Sequence, residues 1–142
     1  MVSTGRKIFV DTSILIAFID RGDPNHLKAR KAIEDMASLG CRLYTSSQVV
    51  TDSHAILSRD VGTTVASEFL QTMLQSGIEI LFPQKADLIT ANRILQVKRE
   101  EQISLSEAVN ATLMQRKGIV QILTFSPWNK LFGTSASNLT IV

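Results

Sequence analysis

Cysteine occurs once, at Cys41, so no disulfide can form within the chain and a reducing, cytoplasmic setting is expected. A lone cysteine of this kind reads as a small core residue rather than a catalytic one. No apolar run approaches the roughly 20 residues a membrane-spanning helix requires, so no membrane partner is expected. The first residues, MVSTGRK, pass straight into a strand-like tract without the hydrophobic segment of a secretory signal. Repeats, low-complexity tracts and linkers are missing. Strong charge of one sign is missing too: 15 basic against 13 acidic residues give a net charge of +2 and a pI near 8.9. That balance does not oppose a polyanionic partner and does not establish one. The basic pairs Arg30-Lys31, Lys98-Arg99 and Arg116-Lys117 read as solvated helix ends. With 142 residues, 44% of them hydrophobic, the chain is expected to form one compact domain, 1-142.

The most informative tract is KIFVDTSILIAFID, Lys7 to Asp20. Ile8-Phe9-Val10 is short and β-branched or aromatic, the pattern of a buried strand. Ile14 to Ile19 is longer and follows side-chain oxygens that can cap, the pattern of a buried helix. Asp11 then falls at the carboxyl end of a buried strand, in the crevice where open α/β sheets bind ligands. A carboxylate there is costly unless it is hydrogen-bonded, neutralised or set against a cation.

Strand and helix signals alternate along the rest. Asp23-Pro24 has the chemistry of a helix start, with apolar residues recurring at helical spacing up to Gly40. Arg42 to Thr45 reads as a strand, and Ser46-Ser47 as the cap of a helix with Val49, Val50, Ile56 and Leu57 on one face. A helix is expected from Thr64 to Gln75, a strand from Ile78 to Phe82, a helix from Ala86 to Val97 and another from Ser106 to Lys117, closed by Gly118. Ile119 to Phe125 reads as a strand and Leu139 to Val142 as an edge strand. Such alternation implies right-handed crossovers and a three-layer α/β/α sandwich around a mostly parallel sheet.

Three acids, Asp11, Asp52 and Glu107, lie against apolar neighbours near helix starts. Each has a plain structural explanation. Asp11 can cap the helix that follows it. Asp52, three residues from Val49 and four from Ile56, can sit at the edge of their apolar face. Glu107 completes a capping box with Ser104. Together they suggest more, because carboxylates from separate parts of a parallel fold can converge at its carboxyl edge. There they repel one another unless a divalent cation lies between them. Oxygen donors without Cys or His clusters suit Mg²⁺ or Mn²⁺ rather than Zn²⁺.

The VDTS tract with Asp11, the Thr45-Ser46 opening of the Asp52 helix, Ile103-Ser104-x-x-Glu107-Ala108 and Leu123-Thr124-Phe125 follow the order and spacing of PIN domains. Over Lys7 to Gly133 the chain resembles that family of metal-dependent ribonucleases, prominent as VapC-type toxins of toxin–antitoxin pairs. The resemblance implies that Asp11, Asp52 and Glu107 hold Mg²⁺ or Mn²⁺ and carry catalysis on RNA. It assigns auxiliary places to Thr12, Ser13 and Ser126, and it implies a homodimer and an antitoxin partner; Asn110, one turn after Glu107, is expected from its spacing to face the same site as a further auxiliary residue. The family usually has Glu at the Asp52 position, Asp at the Glu107 position and a fourth acid in the slot of Ser126. Those departures imply weaker metal binding and leave open an inactive PIN fold that binds RNA or protein.

Other residues say less. His54 reads as a partly exposed surface histidine and His26 as part of a polar helix start. Trp128, beside the presumed site, could stack on a base or serve a core or dimer contact. Rival readings fare poorly. A dehalogenase-type phosphatase needs a second Asp where Ser13 stands, and a receiver needs an acidic pair at its first strand. A dinucleotide-binding module needs a Gly-rich turn after that strand.

Overall fold

A computed structural model of the chain describes residues 5–126 and the backbone of residues 140–141. Among these residues five strands form one parallel sheet: β1 (Lys7–Val10), β2 (Arg42–Ser46), β3 (Glu79–Leu81), β4 (Gln121–Leu123) and β5 (Thr140–Ile141), in the order β3-β2-β1-β4-β5. Six helices flank it: α1 (Thr12–Ile19), α2 (His26–Ser38), α3 (Ser47–Asp60), α4 (Thr63–Gln75), α5 (Lys85–Val97) and α6 (Leu105–Lys117). They pack in chain order as α1 on α2, α3 on α4 and α5 on α6, with α3 touching both α1 and α6. This is the expected three-layer α/β/α arrangement. No helix among the described residues is long and apolar enough to cross a membrane.

The central strand is the most deeply buried. Ile8, Phe9 and Val10 are wholly enclosed, as a strand covered on both faces requires. Burial of each such side chain contributes about 1.5–3 kcal/mol. Phe9 pairs with Tyr44 of β2 on one side and Ile122 of β4 on the other. The chain therefore leaves β1 in one direction to reach β2 and in the other to reach β4. The gap between the carboxyl ends of β1 and β4 is the point where strand order reverses, the usual ligand crevice of such sheets.

Several boundaries differ from those read in the sequence. Helix α2 begins at His26, not at Asp23-Pro24, because Asp23 Oδ1 accepts the Asn25 N–H at 2.8 Å and holds Pro24 in a turn. Strand β3 is confined to Glu79–Leu81. Strand β4 is shorter than Ile119 to Phe125. At its start Ile119 N–H bonds back to Met114 O at 2.8 Å, closing α6 behind Gly118, whose φ of 69° is easily reached only by glycine. At its end the Phe125 N–H is taken by Ser13 Oγ instead of a neighbouring strand. Cys41 is half-buried rather than a core residue, with Arg6 Nη2 3.6 Å from its sulfur. Arg116 is an exposed helix end, as expected, whose guanidinium also forks onto the enclosed carboxylate of Asp87.

Candidate functional site

A cleft of about 490 Å³ opens at the reversal point. Asp11, Thr12 and Ser13 line it from the entry to α1, and Asp52, Ala55 and Ile56 from α3. Ser104, Ser106, Glu107 and Asn110 line it from the entry to α6, and Ser126 from the segment after β4. All seven residues assigned from the sequence thus face one space. No Lys, Arg or His stands among these lining residues. A larger hollow, about 560 Å³, lies between α1, α2, α4 and the start of β2, walled by groups such as Phe18, Phe69 and Met73. Its one acid is Glu79, so it offers no comparable chemistry.

Asp11 is 7% exposed, and the fold supplies what a buried carboxylate demands. Its N–H completes the ladder onto Leu123 O at 3.1 Å. Its side chain does not cap α1. Instead Oδ2 accepts from Thr124 Oγ1 at 2.6 Å. Thr124 Oγ1 in turn accepts the Ser126 N–H at 2.9 Å and lies 3.2 Å from Ser13 Oγ. Since the Thr124 proton is given to Asp11, Ser13 donates to Thr124 while accepting from Phe125 N–H at 3.0 Å. The result is a directed chain of hydroxyls ending on a carboxylate, the kind of array in which each bond strengthens the next. The strand leading to Thr124 is legible in the sequence, but nothing local announces that Thr124 lies against Asp11.

Glu107 performs the structural role read from the sequence. Glu107 N–H donates to Ser104 Oγ at 3.0 Å, and Ser104 N–H donates to Glu107 Oε1 at 3.1 Å. The same carboxylate lines the cleft. Asp52 sits at the edge of the apolar face, as read from its spacing. The enclosed stripe of α3 is Val49, Val50, Ser53 and Leu57, and Asp52 sits on its flank, exposed at the rim. Asn110 is enclosed, with its Oδ1 facing Ser46 Oγ at 2.5 Å. His54 is half-buried, and His26 Nδ1 meets Ala17 O at 2.8 Å, tying α2 to α1. Trp128 lies outside the described residues.

The three acids converge on one cleft but not on one point. Among the described residues no three His, Cys, Asp or Glu side chains are close enough to cage a metal ion. The three acids form a loose acidic lining rather than a closed cage, with Asp52 at the rim and Glu107 held in its capping bond. Such a lining still fits Mg²⁺. That ion keeps several waters and is ordinarily held by one or two carboxylates together with substrate phosphate, rather than by a full protein cage. The donors are all oxygens, which fits Mg²⁺ or Mn²⁺ and not Zn²⁺.

Comparison with known proteins agrees with this geometry. The family model of the PIN domain matches residues 8–126. Ribonuclease VapC26 of Mycobacterium tuberculosis is 26% identical over 117 residues, covering 82% of this chain and 84% of that protein. The crystal structure of VapC20 of the same organism, a toxin that cleaves the sarcin–ricin loop, superposes with a TM-score of 0.80 at 25% identity, covering 89% of this chain and 95% of the other. VapBC2 from Rickettsia felis, bound to a promoter DNA fragment, shares the fold with a TM-score of 0.69 at 14% identity, over 96% of this chain and 97% of the other.

Proposed function

The chain belongs to the PIN domain family, and from that premise we propose that it is a Mg²⁺- or Mn²⁺-dependent endoribonuclease, a toxin restrained by an antitoxin. The observation that carries this reading is the cleft at the strand-order reversal, where Asp11, Asp52 and Glu107 share one lining and Asp11 is held by Thr124. Likeness to a ribonuclease and to an RNA-cleaving toxin, each about a quarter identical over most of its length, supports it. The cytoplasm as place of action and a homodimer as working form belong to the same proposal.

Asp11, Asp52 and Glu107 would hold the cation. When bound, it would supply a water more easily deprotonated than bulk water, and positive charge against the phosphate. Asp11 cannot swing away, because Thr124 and the sheet fix both its side chain and its backbone. Thr12, Ser13 and Ser126 offer hydroxyls that orient water at the mouth of the cleft. Glu107 keeps its position through the cap it makes, so its carboxylate is presented without further ordering.

The test is cleavage of a defined RNA pool with Mn²⁺ or Mg²⁺ by the wild type and by Asp11→Asn. Cleavage by the wild type alone, abolished by chelation, is expected; equal cleavage by both proteins overturns the proposal. A second reading, a PIN fold that binds RNA or protein without cutting, is favoured by the uncharged Ser126 and the loose spacing of the acids. Titration calorimetry separates the two, since a chain that takes up no Mn²⁺ near neutral pH is the inactive module.

A further inference from the structure

Asn110 is 4% exposed and stands on α6 one turn beyond Glu107. Its oxygen is engaged by a residue 64 positions away, Ser46, the cap of α3. Ser46 Oγ already accepts the Val49 N–H at 3.1 Å, so its own proton is the one aimed at Asn110. That assignment fixes which edge of the amide carries oxygen. The inverted amide would press two donors on Ser46 and leave the hydroxyl proton without an acceptor. The Nδ2 edge makes no bond to the protein among the described residues. It is also absent from the sealed, unpartnered polar atoms there, of which Ser53 Oγ is the one instance, so it opens to the cleft that Asn110 lines.

This cleft has three carboxylates and no basic side chain among its described lining residues. An RNA phosphate entering it meets repulsion on every acidic side. A lysine or arginine would relieve that, but it would pair with the very carboxylates needed for a cation. A neutral donor, held in advance, avoids the conflict. We propose that Asn110 Nδ2 donates a hydrogen bond to a non-bridging oxygen of the RNA phosphodiester, and that Ser46 is the positioning residue that turns the amide toward it. Negative charge grows on those oxygens as hydrolysis proceeds, and a donor aimed beforehand stabilises it without reorganisation. The inference rests on the ribonuclease reading and adds to it the group that recognises the phosphate.

The experiment uses an RNA whose cut linkage has been mapped, prepared with sulfur in place of either non-bridging oxygen. The proteins are wild type, Asn110→Ala, Asn110→Asp, Ser46→Ala and the Ser46→Ala/Asn110→Ala pair, each checked for folding by thermal melting. Asn110→Ala is expected to lower kcat about 10- to 100-fold with little change in KM. Asn110→Asp should be at least as slow, since it keeps an oxygen for Ser46 but replaces the donor with charge. Sulfur at one of the two positions should slow the wild type and not Asn110→Ala. Ser46→Ala should lower kcat in the wild-type background and leave the Asn110→Ala background unchanged. Identical sulfur effects in wild type and Asn110→Ala overturn the proposal, as does an equal cost of Ser46→Ala in both backgrounds, which would make Ser46 a helix cap and nothing more. Should the wild type cut no RNA, the ribonuclease reading fails first. The inference is then judged by fluorescence anisotropy of a labelled RNA: several-fold weaker binding by Asn110→Ala upholds it, and unchanged binding rejects it.

Discussion

Thr124 Oγ1 stands 2.6 Å from Asp11 Oδ2, joining the ends of adjacent strands across 113 positions of chain. A hydrogen bond to a charged group contributes about 1.5–3 kcal/mol, and here it also sets the direction of the carboxylate. Thr124→Val keeps the shape and removes the donor. It should lower stability by about 1–3 kcal/mol in urea denaturation and slow RNA cleavage more than tenfold, while Thr124→Ser retains most of both. A Thr124→Val protein of unchanged stability and rate would show that the bond holds nothing in place.

Glu107 serves two ends, and one substitution separates them. Gln at this position can still accept the Ser104 N–H, so Glu107→Gln should melt close to the wild type while losing cleavage. Glu107→Ala should lose cleavage and also about 1 kcal/mol of stability, read from the denaturation midpoint. Retained cleavage in Glu107→Gln would confine this residue to the helix cap.

Ser126 contributes an uncharged hydroxyl to the cleft lining. Ser126→Asp adds a fourth carboxylate to a lining that already holds three. Affinity of oxygen sites for divalent cations rises with ligand charge. Calorimetry should show Mn²⁺ bound roughly tenfold more tightly by Ser126→Asp. Unchanged affinity would place the cation away from this edge of the cleft.

Asp87 and Arg116 lock α5 to α6. The Asp87 side chain is 6% exposed, accepts from Arg116 at 3.1 and 3.0 Å, and takes the Gln84 N–H at 2.8 Å. Arg116→Met strips the cation from an enclosed carboxylate and should cost about 3 kcal/mol. Replacing both, as Asp87→Leu with Arg116→Met, should cost less than the single change, because no uncompensated charge is left behind. Urea midpoints of the three proteins decide it, and a double variant weaker than Arg116→Met would count against this account.

Ser53 is fully enclosed on α3, and its Oγ finds no partner among the described residues. An unsatisfied hydroxyl in such a place costs about 1–3 kcal/mol. Ser53→Ala should therefore raise the melting temperature, with differential scanning fluorimetry sufficient to see it. A lower melting temperature would mean the hydroxyl is bonded after all.

What could be read from the sequence was local. The buried strand ending at Asp11, the Ser104–Glu107 box and the glycine closing α6 all involve neighbours within a few residues, where spacing and residue type suffice. The pairs that define the site, and the one that locks α5 to α6, do not. Thr124 with Asp11, Ser46 with Asn110 and Arg116 with Asp87 are separated by 113, 64 and 29 positions, and only strand order and helix packing bring them together. Asp52 at the edge of its apolar face was legible from spacing, but periodicity does not show that the centre of that face runs through Ser53. Asp23-Pro24 misled because the same pair starts a helix or holds a turn, and the Asn25 N–H decides between them.

The bond from Asp11 N–H to Leu123 O makes the two walls of the cleft unequal in lifetime. One wall is stitched into the innermost strands, so its amide should exchange with deuterium only when the whole molecule opens. The opposite wall starts after a short turn, Arg99–Glu101, and Gln102 with its φ of 54°, where local fraying is enough. A guest in this cleft thus rests against an anvil on the Asp11 side, while on the other side exchange begins in the turn ahead of the Ser104–Glu107 cap.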